Sequence, residues 1–188
     1  MSPLPTRIVI IGCCGSGKTY LARRMAERLG YSIMSLDQIV YERPEDRNPD
    51  GSLKRMRRRE AGKVAEMLND FLNNRCWVLE GIYGDLIGKA LKTADLLLWT
   101  DREKNFCIQS VETRNLKMNE QYGRSLSDEQ MQKVLGQIEK YADSGSSVGR
   151  ARHQSLFHGF EGERRRLTSF GEVDGFLESF PAGSGLTG

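Results

Sequence analysis

Gly12-Cys13-Cys14-Gly15-Ser16-Gly17-Lys18-Thr19 sets three glycines, a lysine and a hydroxyl at the spacing G-x-x-x-x-G-K-[ST]. Glycines let a backbone curl until successive N–H groups point at one polyphosphate, and the N-terminus of a following helix adds partial positive charge. Lys18 is placed to reach terminal phosphates, and the Thr19 hydroxyl is a ligand for Mg²⁺. Residues Gly12 to Tyr20 therefore form the candidate ATP-phosphate site. The same stretch admits a second chemistry. A thiol at a helix N-terminus has a lowered pKa and oxidises readily, so Cys13 and Cys14 are either fillers of variable loop positions or redox-regulated groups. A disulfide between neighbouring residues would be strained.

The loop needs a buried strand before it and an amphipathic helix after it, and both are legible. "RIVII" at 7–11 is a β-branched apolar run suited to the middle of a parallel sheet. In the segment that follows, Leu21, Ala22, Met25, Ala26 and Leu29 share one helical face, and Gly30 ends the helix. Further strands are expected at 31–37, 76–81, 94–101 and 165–170. Between them come a loop at 41–51 and a long helix from Ser52 to about Asn73 whose first half is basic. Shorter helices follow at 84–92 and 103–118. A helix after the Ser127/Gln130 capping box continues to the loop at 143–149, and a last helix covers 172–180. Strands alternating with helices predict an α/β fold: a three-layer α/β/α sandwich on a five-stranded parallel sheet. One domain is expected over 1–180, with a flexible tail at 181–188.

Composition limits the alternatives. Net charge is +3, and no metal-ligand spacing links the four cysteines and two histidines. No apolar run approaches the roughly 20 residues of a membrane span, and the N-terminus lacks the apolar core of a signal peptide; a cytoplasmic protein is expected. The basic clusters at 54–60 and 164–166 are either anion-holding groups or solvated faces. With a pI near 8.7 but a balanced composition and no nucleic-acid motif, a nucleic-acid partner is disfavoured.

The loop, "LD" at 36–37, "WVLEGIY" at 77–83 and "ADLLLWTDR" at 94–102 recur in an order that resembles small P-loop kinases of the adenylate kinase and shikimate kinase type. The likeness is strongest to the bacterial adenylate-kinase-related proteins known as topology modulation proteins. It covers residues 7–118 well and the remainder weakly. Two departures stand out: Glu80 replaces an aspartate, and the Asp101-Arg102 pair lacks the proline of the Asp-x-Pro-Arg pattern.

The resemblance implies that Glu80 joins Thr19 in organising Mg²⁺. It implies that Asp37 meets the acceptor, with Gly81 and Tyr83 beside it, although Asp37 also suits a helix cap. It implies an acceptor-binding insertion at 41–75, where Arg55 and Arg58 would hold an acceptor phosphate, and a lid-like region at 114–152, where Arg114 and Arg150 would neutralise transferring charge. Arg102 either touches nucleotide or begins a helix. The function so implied is transfer of the γ-phosphate of ATP to a small acceptor, first a nucleoside monophosphate as in adenylate kinases and in the alternative a small hydroxylated metabolite, by a monomer or dimer. The departures leave room for a regulatory nucleotide-binding protein with weak or no turnover.

Overall fold

The computed structural model describes residues 4–42, 57–123, 125–143 and 148–181. Strand β1 (Arg7–Gly12) is the axis of the fold. On one side it pairs in parallel with β5 (Trp77–Gly81), which pairs in turn with β2 (Ser32–Ser35). On the other side it pairs with β6 (Leu96–Thr100), and β6 with β7 (Glu163–Leu167). The five-stranded parallel sheet is therefore ordered β2-β5-β1-β6-β7. A strand covered on both faces needs apolar side chains at every position, which explains the unbroken "IVII".

The pleat of β1 sends its side chains alternately to two cores. Ile8 and Ile10 pack with Leu21, Met25 and Leu29 of α1 (Lys18–Leu29) and with Val173 and Leu177 of α8 (Phe170–Glu178). Val9 and Ile11 join the opposite core, beneath α2 (Leu36–Val40), α3 (Ala61–Leu72), α4 (Gly84–Ala90) and α7 (Arg150–Gly159). Trp77 and Trp99 are the largest side chains there, and both are buried. A third cluster joins α5 (Lys104–Tyr122) and α6 (Asp128–Asp143) to the loop: Cys107, Val111, Ile138 and Tyr141 close around Cys13. Ser127 and Gln130 form the expected capping box, with Ser127 N–H donating to Gln130 Oε1 and Gln130 N–H to Ser127 Oγ.

The fold corrects two sequence expectations. The helix expected from Ser52 begins only at Ala61. Arg57 and Arg58 instead form strand β4, antiparallel to β3 (Tyr41–Glu42), with Glu42 opposite Arg57. Arginine is a good helix former, but the carbonyls ending α2 need donors. Arg59 Nη1 supplies them, at 2.6 Å to Ile39 O and 3.2 Å to Gln38 O. Second, Asp37 belongs to the first turn of α2 rather than to a strand end. Arg55, Arg124 and the tail 182–188 lie outside the described residues. Among the described residues, no helix is long and apolar enough to cross a membrane.

Candidate functional site

The loop leaves the carboxyl end of β1, between the ends of β5 and β6, where an open parallel sheet presents its crevice. Its glycines answer steric demands. Gly15 has φ +78°, and a Cβ there would lie 2.3 Å from Cys107 O. At Gly12 a Cβ would lie 2.2 Å from Thr100 Oγ1. Ser16 is buried, and its hydroxyl bonds Thr100 Oγ1 at 2.7 Å, so its side chain braces the loop and only its backbone is left for a ligand. Tyr20 is exposed, lies edge-on to Phe170 and donates to Asp174 at 3.4 Å.

Lys18 is 8% exposed, an unusual state for an ammonium group. Its Nζ sits 3.4 Å from Cys13 O and 4.0 Å from Glu80 Oε2. Thr19 Oγ1 donates to Glu80 Oε1 at 3.1 Å. Glu80, the fourth residue of β5, is 2% exposed, yet its Oε2 has no hydrogen-bond partner. A buried carboxylate oxygen left so is costly. A hydroxyl and a carboxylate oxygen, one of them unsatisfied, suit Mg²⁺, a hard cation that takes one or two protein oxygens and completes its shell with water and phosphate. Among the described residues there is no cluster of three or more His, Cys, Asp or Glu side chains for a metal.

Cys13 is buried on the outer side of the loop. Its thiol donates to the Cys107 sulfur, and that bond together with burial pushes its pKa up. The same bond pulls the Cys107 thiol down. Cys14 is half-buried against the same cluster.

On the β2–β5 side, Asp37 and Tyr83 follow the ends of neighbouring strands, whose register pairs Ser35 with Glu80. The Tyr83 hydroxyl donates to Asp37 Oδ1 at 2.7 Å. Burial, then the Asp37 charge, push the phenol pKa far up, so Tyr83 keeps its proton. Gly81 is a packing position, because a Cβ there would meet Leu36 side-chain atoms at 2.6–2.9 Å. Arg58 is exposed on β4.

On the β6–β7 side, Asp101 is 7% exposed and carries two arginines. Arg150 binds it with two prongs, Nε to Oδ1 at 2.9 Å and Nη2 to Oδ2 at 2.6 Å. Arg166 adds Nε and Nη2 to Oδ2, at 2.8 and 2.6 Å. Both guanidinium groups lie over the Trp99 ring, at 5.3 and 5.4 Å. Arg102 stacks between Phe106 and Phe170 and donates to Thr168 O at 2.8 Å; burial lowers its pKa. Arg114 is exposed on α5, one turn past Val111, which lies against Gly15.

Sequence reading missed the chain of bonds that ties α6 and α7 to the sheet. Trp99 Nε1 donates to the Tyr141 hydroxyl at 3.2 Å, and that hydroxyl lies 2.9 Å from His153 Nδ1. His153 Nε2 lies 2.9 Å from Ile82 O. The carbonyl only accepts, so Nε2 carries the proton and Nδ1 receives the Tyr141 O–H. Arg166 had a signal, as part of the basic run at 164–166 at the end of an expected strand; Tyr141 and His153 had none.

A sequence family described as an AAA domain matches residues 8–78, under half of the chain. No curated protein matches the chain. Among solved structures, a Chloroflexus aurantiacus protein described as a kinase is 12% identical, with TM-score 0.50 over 93% of this chain and 96% of its own. A Sinorhizobium meliloti gluconokinase is 13% identical, with TM-score 0.46 over 95% and 97%. A Janibacter sugar kinase is 14% identical, with TM-score 0.46 over 93% and 92%. At such identity the likeness is one of fold, and the chain has the α/β P-loop kinase-like fold.

Proposed function

We propose that the protein is an Mg²⁺-dependent kinase that moves the γ-phosphoryl group of ATP to a hydroxyl of a small hydroxylated metabolite. The observation that carries this reading is the carboxylate pair on the β2–β5 side of the loop: Glu80, buried beside Lys18 and Thr19, and Asp37, exposed and held by Tyr83. Phosphoryl transfer asks mainly for positioning and charge neutralisation. The loop amides and Lys18 hold the phosphates of ATP, with Lys18 exchanging the Cys13 carbonyl for phosphate oxygens. Thr19 and Glu80 would hold Mg²⁺, which when bound would offset negative charge on the ATP phosphates. Tyr83 fixes one oxygen of Asp37, leaving Oδ2 to accept the proton of the attacking hydroxyl. Among the described residues, Arg114 is a lid arginine with no partner in this arrangement, whereas Arg150 is engaged by Asp101.

A hydroxyl-bearing acceptor fits better than a nucleoside monophosphate on electrostatic grounds. An exposed carboxylate repels a phosphate dianion, and among the described residues Arg59, which bonds the residues just after Asp37, is committed to the carbonyls ending α2. The test is ATP consumption with Mg²⁺ against polyhydroxylated metabolites and nucleoside monophosphates, with Lys18→Ala as control. Turnover with a hydroxylated acceptor, lost in the variant, is expected. Turnover with monophosphates alone would overturn the acceptor assignment, and ATP binding with no acceptor-dependent turnover would overturn the kinase assignment.

A further inference from the structure

A cavity of about 610 Å³ lies between the start of α5, the end of α6 and the β6–β7 edge. That is the size of a small-molecule site. Its wall touches the loop only through Cys13, and Lys18, Thr19, Glu80 and Asp37 are not part of it. Four cations, Arg102, Lys104, Arg150 and Arg166, line it against two carboxylates, Asp101 and Glu103. Phe106, Ile138 and Tyr141 give it apolar surface.

The arginines are set in place before any ligand arrives. Asp101 engages Nε and Nη2 of both Arg150 and Arg166, and Trp99 supports both planes. One carboxylate neutralises one of the two cations, so the cluster keeps a net positive charge. Each guanidinium also keeps its Nη1 edge uncommitted to Asp101. Fixed guanidinium donors recognise the planar or tetrahedral oxygens of carboxylate and phosphate groups.

We propose that this cavity is a second binding site, separate from the phosphate loop, for a small organic oxyanion held by Arg150 and Arg166. The site would take a phosphate or carboxylate on the arginine pair and a compact apolar or hydroxylated body against Phe106 and Tyr141. Its occupant would press on the loop through Cys13 and on α5 through Cys107, which places it to modulate nucleotide binding. The inference does not depend on the kinase assignment.

The test is calorimetric titration with inorganic phosphate and, separately, malonate. The titrations use the protein saturated with a non-hydrolysable ATP analogue and Mg²⁺, and the Lys18→Ala variant. One oxyanion per chain is expected to bind in both, and the preferred probe distinguishes a phosphorylated ligand from a carboxylate. Arg166→Gln should weaken that binding at least tenfold, and Arg166→Lys less. Lys104→Glu, at an exposed position on the cavity wall, should weaken it severalfold without disturbing the fold. Loss of oxyanion binding on loading the ATP analogue would assign the cavity to the nucleotide site and overturn the proposal. So would unchanged affinity in both Arg166→Gln and Lys104→Glu, or no binding of either probe. Oxyanion binding in a protein that fails to turn over ATP would sink the kinase reading and leave this one standing.

Discussion

Glu80 and Asp101 sit at the carboxyl ends of the two strands flanking β1, both buried, and they are paired in opposite senses. Glu80 is under-paired: it has a threonine hydroxyl on one oxygen, a lysine at 4.0 Å from the other, and no hydrogen bond on that second oxygen. Asp101 is over-paired, with two arginines in direct contact. One side of the loop is thus prepared for a cation and the other for an anion. A buried charge that lacks a full set of partners marks where a ligand completes the set, and the sign of the missing partner tells its charge.

The largest effect expected is at Lys18. Replacing it with alanine removes the one cation in contact with Glu80 among the described residues and should lower kcat/KM for ATP-dependent turnover by about 10³-fold or more, with a fall in thermal midpoint because Glu80 stays buried without a counter-charge. Steady-state kinetics with thermal unfolding checks this. Next comes Glu80→Gln, which keeps the shape but supplies a weaker metal ligand. It should cost about 10²-fold in kcat and raise the Mg²⁺ concentration needed for half-maximal rate. An unchanged Mg²⁺ requirement would break the contrast between the two carboxylates.

Asp101→Asn should act on stability. It leaves two guanidinium groups facing a neutral amide, but their side chains are 40% and 49% exposed, so water takes over part of the loss. A cost of about 1–2 kcal/mol is expected, read as a fall of several degrees in thermal midpoint. No fall would show that the arginine pair does not hold β7 and α7 to the sheet.

A further, pH-dependent effect on stability comes from His153. Burial pushes its pKa down to about 4, against 6.5 for the free side chain. Between those values the unfolded chain binds a proton that the folded chain does not, so stability falls as pH drops from about 6.5 toward 4. Below 4 this group contributes no further loss. The full effect is on the order of 3 kcal/mol. Denaturant unfolding at several pH values should show this slope in the wild type and a flatter one in His153→Gln.

The cation side of the contrast was far more legible in the sequence than the anion side. The loop spans eight consecutive residues, its strand and helix adjoin it, and Glu80 ends a clear apolar run. Local order in the chain is local order in space there. The anion side brings Asp101 together with Arg150, 49 positions away, and Arg166, 65 away, and no periodicity announces such pairs. The same holds for Tyr141, His153 and Ile82, whose bonds depend on how α6 and α7 dock. Arg57 to Arg59 misled for a related reason: local helix propensity yielded to a carbonyl demand at the end of α2 that only the tertiary fold creates.

The central claim is that Lys18, Thr19 and Glu80 form one site for Mg²⁺ and nucleotide phosphate. Its most direct test is the affinity for ATP by calorimetry, with and without Mg²⁺, in the wild type and in Glu80→Gln. The account predicts that Mg²⁺ tightens ATP binding in the wild type by about tenfold or more and that Glu80→Gln removes most of that gain. Equal tightening in both proteins would contradict it, and would mean that Glu80 is a structural carboxylate with the metal held elsewhere.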